Sequence, residues 1–323
     1  MFWRDRRVFV TGATGFIGGW VIKDLLAAGA QIAVLVPDID PQAELYRSGD
    51  VQRVTVINGR LEDLSTIERA INGYAVQTVI HLAAQAIVST AQRSPLSTFE
   101  ANIRGTYHVL EACRLHRDLV SEVVIASSDK AYGMQPVLPY TEDMPLQGRN
   151  PYEVSKSCAD LLAQSYAHTY DLPVVIARCG NVYGGGDLNW SRIIPGAIRA
   201  IWKGERPIIR SDGTYLRDYI YVKDIARAYL RVAEMLHAGN VAGQAFNFST
   251  DQPVAVTALV NEVSRLMGRT DLEPQVLNCA QGEIRDQNLS SRKAQQMLDW
   301  APSYDLDSGL RETIAWYEGF LAR

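Results

Sequence analysis

The sequence predicts an α/β protein in which a doubly wound parallel sheet carries a smaller, interleaved C-terminal lobe. Three observations support this. Short β-branched runs alternate with longer helical patterns through the first half of the chain. A glycine triplet separates the first such run from the first helical pattern. After Asn181 the alternation gives way to irregularly spaced glycine, proline, tryptophan and arginine.

The elements follow in order. Arg7 to Thr11 reads as a strand, and Phe16 to Gly29 as a helix closed by its glycine. Gln31 to Val36 and Val54 to Ile57 read as strands, followed by a helix over Leu64 to Ile71. Val76 to Leu82 is a fourth strand, ahead of one long helix from Pro95 to His116. Glu122 to Ser127 and Pro173 to Arg178 are strands flanking a helix over Tyr152 to Tyr170. These strands are near-continuous apolar runs, the pattern of strands covered on both faces. Tyr183 to Tyr221 shows no regular period; helices return at Val222 to Ala238, Val256 to Met267 and Leu306 to Leu321, with a strand at Ala245 to Ser249. Residues 1–180 read as one domain, to which a stretch at about 218–250 returns, and 181–323 as mainly a second lobe. No repeat, low-complexity stretch or linker separates the two.

Composition limits the partners. The 323 residues are 47% hydrophobic and 21% charged, which fits a folded globular chain and not a disordered one. A net charge of -4 gives no basic surplus for nucleic acid. No apolar run reaches the ~18 residues of a membrane helix. Arg4, Arg6 and Arg7 precede an apolar run as in a leader peptide, but cleavage would remove the glycine triplet. Cys113, Cys158, Cys179 and Cys279 lack C-x-x-C spacing and are expected to be reduced, in a cytoplasmic protein; no metal is expected.

Val8-Phe9-Val10-Thr11 runs into Gly12-Ala13-Thr14-Gly15-Phe16-Ile17-Gly18 and then the helix. A strand turning sharply into a helix offers the helix N-terminal amides and dipole to a pyrophosphate. Glycines at the turn allow the backbone to approach the phosphates, and Gly18 allows the helix to pack closely on the sheet. Tyr152 and Lys156 stand four apart on a predicted helix, hence on one face. A cation beside a phenol favours the phenolate, so this pair predicts a tyrosine with a lowered pKa acting as a base.

The G-x-x-G-x-x-G spacing together with Tyr-x-x-x-Lys resembles the short-chain dehydrogenase/reductase superfamily, and the chain length points to its extended branch, the NAD-dependent epimerase/dehydratase family. The resemblance runs the length of the chain, through His81-Leu82-Ala83-Ala84, Leu306-Asp307-Ser308-Gly309-Leu310 and Trp316-Tyr317. It implies a Rossmann-type sheet, NAD as cofactor with NADP left open, and a triad of Ser128, Tyr152 and Lys156. It also implies cofactor contacts from Gly12, Thr14, Gly15, Phe16, Ile17, Gly18, Leu61, Leu82, Ala83, Ala84, Asn102, Tyr152 and Lys156.

Two positions depart from the family pattern. Val36 stands where an acid commonly reads the cofactor ribose; Asp38, two residues on, either takes that role or is a solvated loop acid. Arg60 replaces the usual Asp near the adenine.

Asp129-Lys130 follows Ser128 directly. The pair resembles that of CDP-glucose 4,6-dehydratases, as does Cys179-Gly180-Asn181-Val182-Tyr183-Gly184-Gly185-Gly186-Asp187. In that chemistry Asp129 is the acid for a departing C6 hydroxyl, and Lys130 the C5 base or an enolate stabiliser. The alternative is a loop ion pair without catalytic duty. The resemblance further implies that Asn181, Arg192, Arg210, Arg217 and Arg285 hold a nucleotide diphosphate, and that the enzyme is a homodimer joined through the helices carrying Tyr152 and Asn102. Three readings stay open: a nucleotide-sugar 4,6-dehydratase, an epimerase or decarboxylase on the same scaffold, and a non-catalytic NAD(P)-binding sensor, which would have no chemical reason to keep the triad.

Overall fold

The structure is a computed structural model and describes residues 2–239, 241–280 and 284–322. Its main sheet has seven strands: β1 (Arg7–Thr11), β2 (Gln31–Val36), β3 (Thr55–Asn58), β4 (Thr78–His81), β5 (Glu122–Ser128), β6 (Val174–Cys179) and β7 (Ala245–Phe248). All pair in parallel, in the spatial order β7-β6-β5-β4-β1-β2-β3. From β1 the chain winds outward through β2 and β3, then returns to β4 on the other side of β1. The reversal opens a crevice beyond the carboxyl ends of β1 and β4, where ligands bind in sheets of this kind.

The helices that matter below are α1 (Phe16–Ala27), α2 (Leu64–Gly73), α3 (Gly105–Leu115), α4 (Pro151–Tyr170), α5 (Ile193–Trp202), α6 (Val222–His237), α7 (Val256–Leu266) and α8 (Leu306–Leu321). Alternate residues of each strand feed opposite layers. Val8 and Val10 pack beneath α1 and α6 with Ile22, Leu25 and Tyr229. Phe9 and Leu35 pack on the other face with Ile67 of α2 and Leu110 of α3.

Three expectations need correction. The helix read as continuous from Pro95 is interrupted by a π turn over Glu100–Arg104, so that α3 begins at Gly105. Such turns recur at functional sites. The stretch read as irregular contains α5, whose Pro195 sits in the first turn, where its missing N–H has no helical partner anyway. Gly196 is needed there because a Cβ would lie 2.9 Å from the Trp190 carbonyl. Two short strands, Asn181–Tyr183 leading into this stretch and Tyr219–Tyr221 at its end, pair in parallel. Around them lies a second core of Ile194, Ile198, Leu259, Leu310 and Tyr317 from α5, α7 and α8. β7 joins the main sheet outside β6, and α6 packs on β5 and β6, so the later chain is woven back into the first domain.

Candidate active site

The glycine turn is shaped by close backbone contact. Gly12 has φ +78°, and a Cβ there would lie 2.6 Å from the Ala83 amide nitrogen. A Cβ on Gly18 would lie 2.0 Å from the Gly12 carbonyl oxygen. Helix α1 begins after Gly15 with no side-chain cap and no acid in its first turn. Its leading amides and its dipole therefore face the crevice, with Thr14, Phe16 and Ile17 partly exposed beside them. This cradle fits a dinucleotide pyrophosphate. Asp38 lies exposed two residues beyond β2. Arg60 is exposed and 3.5 Å from Glu62, while Leu61 is buried against Gly105.

The other wall follows β4, where Leu82, Ala83 and Ala84 are partly exposed. Thr11 Oγ1 is 2.7 Å from His81 Nδ1, and His81 Nε2 is 3.1 Å from Thr106 Oγ1. Asn102, in the π turn, ties three elements together. Its Oδ1 accepts from the Gln85 amide at 2.7 Å, and its Nδ2 donates to the Gln85 carbonyl at 3.1 Å and to Ser155 Oγ of α4 at 2.9 Å.

Burial, reinforced by the Lys156 charge, pushes His81 down to about 3. The unfolded imidazole titrates near 6.5, so between about pH 6.5 and 3 the unfolded chain binds the extra proton. Stability present above pH 6.5 is therefore lost as the pH falls through that window, by up to roughly 4 kcal/mol. Denaturant midpoints measured from pH 8 to 4 should show this loss, and His81→Asn should flatten it.

Tyr152 and Lys156 lie on one face of α4, which is entered through a capping box formed by Asn150 and Glu153. Their electrostatics differ from the expectation. Burial pushes the Tyr152 phenol up to about 12; Arg192 opposes this, the Asp129 charge adds to it, and hydrogen bonding from Ser128 opposes it. The cation acting on the phenol is thus Arg192, not Lys156. Lys156 is 7% exposed, donates from Nζ to the Ala126 carbonyl at 2.8 Å, and is held down to about 8 by burial. In each group desolvation outweighs the charges that act on it.

Ser128 ends β5, and its Oγ accepts from the Lys130 amide at 3.2 Å, capping the 3-10 turn Asp129–Tyr132. The same hydroxyl donates to Asp129 Oδ1 at 3.0 Å. Asp129 is 3% exposed, with Lys130 Nζ at 3.1 Å from Oδ2. Gln287, 1% exposed, closes the group: its Oε1 accepts from Lys130 Nζ, and its Nε2 donates to the Asp129 carbonyl at 3.2 Å. Gln287 was absent from the sequence reading; its closeness in sequence to Arg285 was the only available hint.

The arginines of the second lobe are held as follows. Arg192 precedes α5, with Nη1 at 3.0 Å from Asp187 Oδ2. Arg210 donates to the Ser191 carbonyl at 3.2 Å. Arg217 donates to the carbonyls of Leu216, Arg285 and Ile284 at 2.9, 2.5 and 2.5 Å, and Arg285 donates to Thr214 Oγ1 at 3.3 Å. The structure thus brings Arg217 and Arg285 together, and holds Arg192 within electrostatic reach of the Tyr152 phenol. Asn181 Nδ2 is buried with no hydrogen-bond partner among the described residues, a donor suited to a ligand oxygen.

Known proteins similar to this chain include dehydratases and epimerases of nucleotide sugars. The CDP-glucose 4,6-dehydratase of Salmonella typhimurium is 29% identical over 99% of this chain and 92% of its own length. The UDP-glucose 4-epimerase of Mycolicibacterium smegmatis is also 29% identical, over 96% of this chain and 98% of its own. The crystal structure of dTDP-glucose 4,6-dehydratase from Bacillus anthracis in complex with NAD superposes with a TM-score of 0.85 at 26% identity, covering 97% of each chain. The sequence pattern of the NAD dependent epimerase/dehydratase family matches residues 8–248. The chain therefore belongs to the NAD-dependent epimerase/dehydratase family.

Proposed function

We propose that this enzyme is a nucleotide-sugar 4,6-dehydratase. The observation that carries the reading is the Asp129–Lys130 pair, its carboxylate buried and its lysine partly exposed, next to Ser128 and held from the second lobe by Gln287. A 4-epimerase needs only Ser128, Tyr152 and Lys156; an elimination needs a further acid and base at this place.

NAD, when bound, supplies the hydride acceptor at C4 and the hydride donor at C6. The residues of the chain handle the protons. Tyr152, as phenolate, takes the C4 hydroxyl proton, and Ser128 orients that hydroxyl. Lys156 holds the ribose side of the cofactor and keeps the site positive. The C4 ketone acidifies the C5 proton. As the neutral amine, Lys130 removes and later returns that proton; as an ammonium it instead stabilises the enolate while the C5 proton passes to solvent and back. Asp129 gives its proton to the departing C6 hydroxyl, which leaves as water. The product is a nucleotide-linked 4-keto-6-deoxy sugar.

Residues 1–180, with the returning stretch at about 218–250, hold the cofactor, and Asp38 reads its ribose. Asn181, Arg192, Arg210, Arg217 and Arg285, in the second lobe, hold the diphosphate, which guanidinium groups suit. Exposed Tyr107, Leu115 and Leu161 on α3 and α4 support a homodimer across those helices. The four free cysteines support a reducing, cytoplasmic setting. Among the described residues no helix is long and apolar enough to cross a membrane.

A second reading, a 4-epimerase, is supported by the epimerase from M. smegmatis, which is as similar as the dehydratase from S. typhimurium. Incubating the holoenzyme with CDP-glucose, dTDP-glucose and UDP-glucose and weighing the products decides. Loss of one water without added reductant supports dehydration; conversion without mass change favours epimerisation. Gln287→Leu removes the uncharged acceptor of the Lys130 ammonium. Losing a hydrogen bond to a charged group costs roughly 1.5–3 kcal/mol, so kcat should fall about 10- to 100-fold with a smaller change in KM. Steady-state kinetics checks this.

A further inference from the structure

One buried histidine connects the glycine turn to the helix that carries Tyr152. Thr106 Oγ1 donates its single proton to the Asn102 carbonyl at 2.6 Å, an atom that can only accept. His81 Nε2 lies 3.1 Å from the same hydroxyl oxygen, so Nε2 must carry the ring proton. The other neutral tautomer would leave Nε2 facing an oxygen whose proton is already committed. With Nε2 protonated, Nδ1 is bare, and Thr11 Oγ1 at 2.7 Å must donate to it. The Thr11 oxygen in turn accepts the Ala83 amide at 3.3 Å. His81, Thr11 and Thr106 are all buried, which keeps the ring neutral.

Both ends of this chain reach the site. Thr11 precedes Gly12, whose missing Cβ lets the turn lie against Ala83. At the other end Asn102 Nδ2 donates to Ser155 Oγ at 2.9 Å, and Ser155 Oγ donates to the Tyr152 carbonyl at 2.7 Å. Every link from Thr11 to Tyr152 is thus a directed hydrogen bond or a covalent step within one residue. We propose that His81 is a positioning residue: as the Nε2–H imidazole it ties the phosphate turn to the helix that presents Tyr152, so that cofactor and base are held in one register. The inference rests on Tyr152 serving as the base, which the dehydratase and epimerase readings share. An imidazole suits the place because it offers one donor and one acceptor on opposite sides of a rigid ring. Asn102 alone gathers the backbone at Gln85 and α4; His81 extends that hold to β1 and the turn beyond it. Coupling between two sites is reciprocal, so loosening the chain at its middle should weaken cofactor binding and misplace Tyr152 together.

The test breaks the chain at its middle with Thr106→Val, which keeps the shape of the side chain and removes the hydroxyl. On the glucose nucleotide that the holoenzyme converts, kcat should fall about 10- to 100-fold with KM little changed. Calorimetric titration should show NAD bound about 3-fold or more weakly. Thr106→Ser restores the hydroxyl and should recover most of both. Thr313→Val is the matched control. Thr313 is likewise buried and donates to the carbonyl four residues back, Gly309 at 2.6 Å, but in α8. Its loss should lower the melting temperature and leave kcat unchanged. If Thr106→Val keeps kcat within about 2-fold of wild type, or if both valine variants lose turnover alike, His81 is structural only and the proposal is overturned. A second measurement needs neither variant nor substrate: ring-nitrogen resonances of enzyme labelled with isotopic histidine. His81 is the one buried histidine of the five, so its signal is the one that does not titrate between about pH 6 and 8. That ring should carry its proton on Nε2 with Nδ1 bare; a proton on Nδ1 overturns the proposal. Neither the tautomer nor NAD affinity depends on Tyr152 as the base, which Tyr152→Phe judges separately.

Discussion

Tyr152→Phe should lower kcat by about 10²- to 10⁴-fold, the range ascribed to a positioned acid–base group, with little change in KM. The substitution removes one oxygen and leaves the ring packed on α4, so thermal stability should stay close to wild type. The residual activity should lose the pH dependence that the phenol contributes. A variant that keeps more than about a tenth of wild-type turnover would mean that another group takes the sugar proton. Ser128, at the β5 edge, is one such candidate, and Tyr152→Phe combined with Ser128→Ala tests it. Steady-state kinetics on the glucose nucleotide that wild type converts, paired with a melting curve for each variant, is sufficient.

Gly18→Ala is the second large effect. The added Cβ would lie 2.0 Å from the Gly12 carbonyl oxygen and 2.9 Å from the Ala13 Cα, and these backbone atoms have no rotamer into which to withdraw. Helix α1 must move off the turn. Overpacking of this kind costs about 1–3 kcal/mol. The cost to cofactor binding should be larger, because the leading amides of α1 move with the helix. Calorimetric titration with NAD should show affinity reduced by about 100-fold or more, while circular dichroism still reports a folded sheet. Near-normal affinity would mean that the pyrophosphate does not sit on this turn. Gly73→Ala, at a position where a Cβ would meet nothing within 4 Å, is the matching control and should change neither property.

What could be read from the sequence follows from how far apart the cooperating residues lie in the chain. Gly12, Gly15 and Gly18 belong to one turn, and Tyr152 and Lys156 to one turn of helix, so spacing alone relates them. Ser128, Asp129 and Lys130 are neighbours in sequence. The strands were legible because β1, β4, β5 and β6 are buried on both faces and carry unbroken apolar runs. Helix α5 was not legible, since Pro195 and Gly196 imitate a break and its packing partners Leu259 and Leu310 come much later in the chain. The contact between Lys130 and Gln287 joins residues 157 apart and has no local signature. The electrostatics were misread for a related reason. The four-residue spacing brings Lys156 near Tyr152, but only the packed structure reveals how far burial shifts both groups and that Arg192, from before α5, supplies the opposing charge.

The Asn102 clasp bears on how this enzyme could be re-engineered. Its three hydrogen bonds make the backbone at Gln85, the π turn and the start of α4 move as one piece. Substitutions at Ala83, Ala84 or Gln85 in the crevice wall after β4 should therefore be transmitted to the start of α4, which carries Tyr152, and appear as lost turnover. Asp38, the proposed ribose reader, and Arg60 are placed differently. Asp38 and Arg60 lie on exposed loops after β2 and β3, outside the clasp. With Asp38 reading the ribose as proposed, a library directed at those two positions should exchange NAD for NADP preference while the catalytic register stays fixed, whereas one directed at the β4 loop would have to recover both properties together.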